Sequence, residues 1–103
     1  MGKDKDIQSV SNSLSTVVLH KIMIQYTNKS ESILHLQKEE KEYRGQTLKK
    51  IYKKSWSQNE KNKIREKVII RTKNRLKNKY PDVSVTDSII ISYVDEEINS
   101  AFR

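Results

Sequence analysis

Residues that make turns are rare in this chain, whose 103 residues include two glycines and one proline. An all-β protein needs many turns, and those turns are rich in glycine and proline. Long helices joined by few connections fit the sequence better. We therefore predict an all-α domain spanning residues 1–103, with three or four helices in a small bundle or a long helical hairpin, and with residues 1–6 disordered.

Apolar side chains in the first half of the chain recur at three- and four-residue steps, which places them on one face of a helix. In the first segment these positions are Ile7, Val10, Leu14, Val17, Val18, Ile22 and Tyr26. The second segment, capped by Ser30 or Ser32, continues with Ile33, Leu36, Glu40, Tyr43, Leu48, Ile51 and Tyr52. The pattern shifts by one position after Gly45, so we expect either a kink there or a helix that continues through a stutter.

Helix boundaries are better marked in the second half of the chain. Ser57 followed by Glu60 matches the capping box, which predicts a helix over residues 58–79. Pro81 ends this helix, because proline lacks an amide proton and restricts the residue before it. A second cap within residues 84–87 begins the last helix. The inward positions are Ile64, Val68, Ile69, Leu76 and Tyr80 in the third helix and Ile90, Ile91, Val94, Ile98 and Phe102 in the fourth.

Two stretches leave a strand open as an alternative. Residues 67–72 and 83–91 are rich in β-branched side chains, which favour strands. Residues 93–102 keep helical spacing, and Asp87 suits the positive end of a helix dipole. We therefore prefer helices in both places.

The predicted core is thin, because 33% of the residues are charged and 34% are apolar. Small domains bury a modest share of their surface, so we expect either a marginally stable monomer or a dimer that enlarges the core, and we predict the dimer. The most apolar run, residues 14–26, is too short to cross a membrane and is interrupted by His20 and Lys21. The charged N-terminus does not resemble a secretory signal. We expect a cytoplasmic protein that does not enter membranes.

Residues that could perform chemistry are sparse. His20 and His35 are fifteen positions apart without a third ligand in the sequence, and there is no cysteine. The acidic runs 39–42 and 95–97 spread around a helix instead of forming a carboxylate pair, so we interpret them as solvated faces. No phosphate-binding loop or nucleophile elbow is present in the sequence. We expect no enzymatic activity, no metal and no cofactor.

Positive charge is concentrated in the middle of the chain. Residues 44–79 hold fourteen cations and two acids, whereas residues 80–103 hold one cation and five acids. The segregation creates a directional field that attracts polyanions, and cations interleaved with Tyr52 and Trp56 suit phosphate contacts and base stacking. We therefore predict a nucleic-acid-associated protein, with DNA and RNA both open. The predicted binding residues are Lys49, Lys50, Lys53, Lys54, Trp56, Lys61, Lys63, Arg65, Lys67, Arg71, Lys73, Arg75, Lys77 and Lys79.

Other interpretations of the basic segment stay open. It could face an acidic protein or the acidic C-terminus of this chain, or it could be a solvated helix without a partner. Tyr52 and Trp56 could anchor the core near a helix end. The alternative function is a structural or assembly protein, such as a phage virion or head–tail component, in which the acidic C-terminal helix of one copy meets the basic helix of the next. The apolar face of the basic helix is too narrow to insert into a membrane surface.

The C-terminal two-fifths of the chain resembles small phage proteins. Residues 66–98 read EKVIIRTKNRLKNKYPDVSVTDSIIISYVDEEI, a basic helix, a short turn with proline and a helix of the form D-x-x-I-x-x-Y-[IV]-x-x-x-I. This pattern is similar to the helical pair of phage head–tail connector proteins and to the soluble C-terminal part of the phage holin family from lactobacilli. Trp56 and the Tyr93–Glu97 spacing also resemble the WXG class of secreted helical hairpins, with Gln58 in place of the glycine. These resemblances imply a helical fold and an origin in a phage or another mobile element.

Overall fold

A computed structural model describes residues 4–26, 30–81 and 83–102, with the side chains of residues 30–33 outside the description. Four helices make up this part of the chain: α1 (Asp4–Tyr26), α2 (Ser30–Tyr52), α3 (Gln58–Lys79) and α4 (Asp87–Ala101). The all-α prediction is confirmed. The described ranges contain no strand, since residues 67–72 belong to α3 and residues 83–91 form a connection followed by the start of α4.

Helix α1 is the centre of the bundle, and α2, α3 and α4 all pack against it. Ile7, Val10, Leu14, Val17, Val18 and Ile22 are buried, as the periodicity predicted. Leu19 and Met23 are buried as well, because a helix flanked by three others presents apolar side chains over more than one face. Tyr26, at the end of the predicted face, is exposed.

The helices alternate in direction along the chain. Lys67 reaches Gln8 and Arg75 reaches Thr16, and both pairs are separated by 59 positions. A constant separation means that α3 runs parallel to α1. Helix α2 runs the other way, since Lys50 reaches Ser13 while Glu39 reaches His20. Helix α4 also runs the other way, since Asp87 reaches Lys73 while Asp95 reaches Arg65, and it packs on both α1 and α3.

Local capping sets the boundaries of α3 and α4. The Ser57 hydroxyl accepts a hydrogen bond from the Glu60 amide at 3.2 Å, and the Glu60 carboxylate accepts one from the Ser57 amide at 2.7 Å. The predicted capping box and the predicted end before Pro81 are therefore confirmed, and Thr86 caps α4. These signals overrode the β-branched residues, whose strand preference depends on packing in a sheet.

The N-terminal turn differs from the expectation of disorder over residues 1–6. Asp4, Lys5 and Asp6 lie in the first turn of α1, where carboxylates are favoured by the helix dipole, and Asp6 pairs with Lys54, which follows α2. Residues 1–3 lie outside the described residues.

Helix α2 buries a narrower face than predicted. It continues through Gly45 as one helix, and Ile51 and Thr47 are its buried residues among those described. Leu36 and Leu48 are partly buried, whereas Tyr43 and Tyr52 are exposed, so the predicted apolar face of α2 is not buried along its whole length. Residue Ile33 and the caps Ser30 and Ser32 lie outside the described side chains.

The inward positions of α3 and α4 follow the prediction more closely. Ile64, Val68, Leu76, Ile90, Val94 and Ile98 are buried, and Ile69, Tyr80, Ile91 and Phe102 are partly buried. Within the described helices, no stretch is both long and apolar enough to cross a lipid bilayer.

Candidate functional site

The cations of α3 point in several directions, and two of them are neutralised by α4. Arg65 donates to both carboxylate oxygens of Asp95, with Nε–Oδ1 at 2.5 Å and Nη2–Oδ2 at 3.3 Å. The hydrogen bond and charge of Asp95 raise the pKa of Arg65. Lys73 lies 3.3 Å from Asp87. Arg65 and Lys73, both predicted to contact phosphates, instead join α3 to α4.

Four other cations line a groove of about 600 Å³ between α1 and α3. They are Lys67, Arg71, Arg75 and Lys79, which we call the basic row. They are spaced four residues apart, so each step rises roughly 6 Å along the helix and the row is about 18 Å long. The basic row is the part of the predicted site that the fold brings together.

The rest of the groove lining is uncharged, and all of it except Ile70 is polar. Helix α1 contributes Gln8, Ser11, Asn12 and Thr16, and α3 adds Asn74, Ile70 and Asn78. The Gln8 amide donates to the Asn12 amide oxygen at 2.9 Å. None of the described residues that line the groove is Asp or Glu. The groove therefore presents positive charge without an internal counter-charge.

Two members of the basic row are held in place by α1. Arg75 Nη1 donates to Thr16 Oγ1 at 2.8 Å and lies 3.5 Å from Ser15 Oγ. Partial burial and the neighbouring Arg71 lower the pKa of Arg75, yet an arginine remains charged at neutral pH. Lys67 Nζ donates to Gln8 Oε1 at 3.4 Å. The groove is thus partly organised before any ligand enters it.

The remaining predicted cations are dispersed over other surfaces. Lys50 donates to Ser13 at 2.9 Å, on the flank of α1 that faces α2, and Lys54 pairs with Asp6. Lys61 lies 5.8 Å from the centre of the Phe102 ring, a cation–π distance. The other predicted lysines are exposed and lie outside the groove lining: Lys49, Lys53, Lys63 and Lys77.

The two aromatic candidates lie outside the groove. Trp56 Nε1 donates to the Ile51 carbonyl at 2.8 Å, and its ring meets Phe102 edge-on at 6.1 Å. These contacts make Trp56 an anchor of the connection between α2 and α3, which agrees with the core-anchor alternative. Tyr52 is 70% exposed.

One residue of the acidic run 95–97 is not solvated, which corrects the sequence analysis at Glu97, whereas Asp95 is partly exposed and Glu96 is exposed. Glu97 is 2% exposed, accepts a hydrogen bond from Lys21 of α1 at 2.5 Å and forms an ion pair with Arg44 of α2 at 3.4 Å. The sequence carried a signal for this burial, because Glu97 falls on the same helix face as Val94, Ile98 and Ala101. A carboxylate on an apolar face needs cationic partners, and α1 and α2 supply them.

The two histidines share one carboxylate. His20 Nε2 lies 3.3 Å from Glu39 Oε2, and His35 Nε2 lies 2.8 Å from Glu39 Oε1. Burial lowers the pKa of His20, although the charge of Glu39 opposes this shift. No group of three or more potential ligands that could hold a metal ion occurs among the described residues.

The polar wall of the groove was missed by sequence reasoning. Gln8, Asn12 and Thr16 are four residues apart on α1 and form a polar stripe beside the apolar face. The basic row has the same spacing on α3. The four-residue spacing in both helices was the only sign of the groove in the sequence, and it does not show that the polar stripe and the basic row face each other.

Comparison with family models, curated proteins and solved structures found no match to this chain. The resemblance of residues 61–103 to phage connector and holin proteins therefore stays a prediction. The functional proposal therefore rests on the residues of the groove.

Proposed function

We propose that this protein is a non-enzymatic nucleic-acid-associated protein that holds the phosphate backbone in the groove between α1 and α3. The observation that carries the proposal is the basic row, four cations on one polar groove whose described lining contains no acid. Neutralising phosphates with such cations releases condensed counterions, which drives binding at low salt.

The spacing of the basic row suits a polymer better than a small anion. Its length of about 18 Å corresponds to roughly five phosphate steps of a strand that rises 3.4 Å per nucleotide. Arg71 and Arg75 can each donate two parallel hydrogen bonds to a phosphate, whereas Lys67 and Lys79 act as point charges. Side chains of this kind position a backbone without reading its sequence.

The internal pairing of α4 favours this proposal over the assembly alternative. Asp87, Asp95 and Glu97 meet Lys73, Arg65 and the Lys21–Arg44 pair of the same chain. These carboxylates have partners at hand and offer less attraction to the basic helix of a neighbouring copy. The basic row, in contrast, meets α1 through uncharged groups.

The first test is the salt dependence of binding, measured by fluorescence anisotropy with a labelled 20-nucleotide probe. Four phosphate contacts give a slope of about −2.8 for a single strand or about −3.6 for a duplex in a plot of log affinity against log salt. Affinity should then fall about 50- to 150-fold between 50 and 200 mM salt. Absence of binding at 50 mM salt, or a flat salt response, would refute the proposal.

A matched pair of variants separates the groove from diffuse positive charge. The groove variant is Lys67→Gln with Arg71→Gln and Lys79→Gln, and the control is Lys49→Gln with Lys53→Gln and Lys77→Gln. All six side chains are exposed, and each variant removes three positive charges. We expect the groove variant to reduce the salt slope by two to three units, about one for each lysine or arginine lost, and the control to retain most of the slope. Equal losses would assign binding to the diffuse charge and not to the groove.

A further inference from the structure

Resting on the proposed function, we infer that the groove accepts a single-stranded nucleic acid in preference to a duplex. The inference comes from the direction in which the basic row points and from the groups that surround it. Both follow from the way α3 packs beside α1.

The outermost face of α3 is poorly suited to a duplex. A helix that enters the major groove of DNA presents its outward face to the bases and the flanking phosphates. The outward face of α3 carries the exposed Lys63 and Lys77, and between these two lysines it holds Glu66 and Ile70, of which Ile70 is 60% exposed. The basic row lies to one side of this face and lines the groove toward α1.

The position of Arg75 also favours a flexible strand. Arg75 is half-buried and bound to Thr16, and Ile70 lines the same groove. Because Arg75 is partly buried and its guanidinium is bonded to α1, a rigid duplex has less access to it than a flexible strand has. A single strand can follow the space between the two parallel helices and bring its phosphates to the whole basic row.

The uncharged lining offers hydrogen bonds that a single strand can use. Gln8, Asn12, Asn74 and Asn78 each carry a carbonyl acceptor and an amide donor. Unpaired bases expose the Watson–Crick edges that such groups can contact, whereas a duplex hides them. The buried Ser11 hydroxyl lines the groove and has no hydrogen-bond partner within the described residues. Ile70 adds an apolar surface against which a base can lie.

The experiment compares one unstructured 20-nucleotide DNA strand with its duplex, at equal concentration in 50 mM salt. We expect at least tenfold tighter binding of the single strand, and loss of that preference in the groove variant. Equal or tighter binding of the duplex overturns this inference. The proposed function still stands in that case if the groove variant binds the duplex more weakly than the wild type does. Binding to neither probe overturns both.

A charge change on the outer face of α3 gives a second readout. Glu66→Lys is compared with Glu42→Lys, an exposed position on α2 that changes the net charge equally. For a strand in the groove, the two variants should bind single strands within about twofold of each other. A several-fold gain in duplex affinity specific to Glu66→Lys would place nucleic acid on the outer face and overturn the inference.

Discussion

Glu97 forms a buried ion-pair cluster with Lys21 and Arg44, and we predict that stability depends strongly on this cluster. The Glu97 carboxylate is 2% exposed and joins three helices, because Lys21 comes from α1 and Arg44 from α2. Lys21 makes the shorter contact, at 2.5 Å. Lys21→Met therefore removes the main partner of a buried charge while keeping most of the apolar stem.

The loss of stability expected for Lys21→Met follows from the burial of Glu97 and from its second partner, Arg44. Removing one partner of a buried ion pair costs about 3–5 kcal/mol. Arg44 still reaches Glu97, so we expect Lys21→Met to lie at the lower end, at about 3 kcal/mol. For a domain of this size that loss lowers the melting temperature by roughly 12–24 °C. Replacing Lys21, Arg44 and Glu97 together with Met removes the charge as well as its partners and should restore most of the stability.

The assay is urea unfolding followed by circular dichroism at pH 7, with Lys38→Met as the control. Lys38 is an exposed lysine on α2, and its substitution should cost less than about 0.5 kcal/mol. If Lys21→Met costs no more than Lys38→Met, or if the triple Met variant is less stable than Lys21→Met alone, the cluster does not hold α4 in the way described.

Two further predictions concern the caps and the histidines. Ser57→Ala removes a capping-box acceptor and should cost about 1 kcal/mol in urea unfolding, and a loss below about 0.3 kcal/mol would contradict the cap. Because burial lowers the pKa of His20 in the folded state, the unfolded chain binds the proton more tightly. This contribution to stability is fully present above pH 6.5 and is lost as the pH falls toward the lower folded pKa. His20→Gln should therefore reduce the change in unfolding free energy between pH 7 and 5.5. The control His35→Gln alters the exposed partner of Glu39 and should keep that change. Equal pH dependence in the wild type and both variants would contradict the role given to His20.

The sequence predicted best what depends on neighbouring residues. The Ser57–Glu60 box and Pro81 set both ends of α3, because caps and proline act within one turn of the helix. The buried positions of α1 followed from their spacing for the same reason. These features do not require knowledge of what packs against the helix.

The site could be predicted only in part, because it depends on which helices become neighbours. Nine cations around α3 gave no sign that Arg65 and Lys73 would meet acids of α4 while Lys67 and Arg71 would line a groove. That division appears once α1 and α3 run parallel and α4 covers the other side of α3. The core position of Glu97 was visible in the helical spacing, but its partners on α1 and α2 were not.

Nuclear magnetic resonance mapping of a bound oligonucleotide tests the central claim most directly. On titration of the labelled protein with a single-stranded 20-mer, the largest shifts should occur in the side-chain amides of Gln8, Asn12 and Asn74 and in the backbone of the basic row. Shifts concentrated at Lys49 and Lys53, with the Gln8 and Asn12 side chains unmoved, would contradict a polyanion site between α1 and α3.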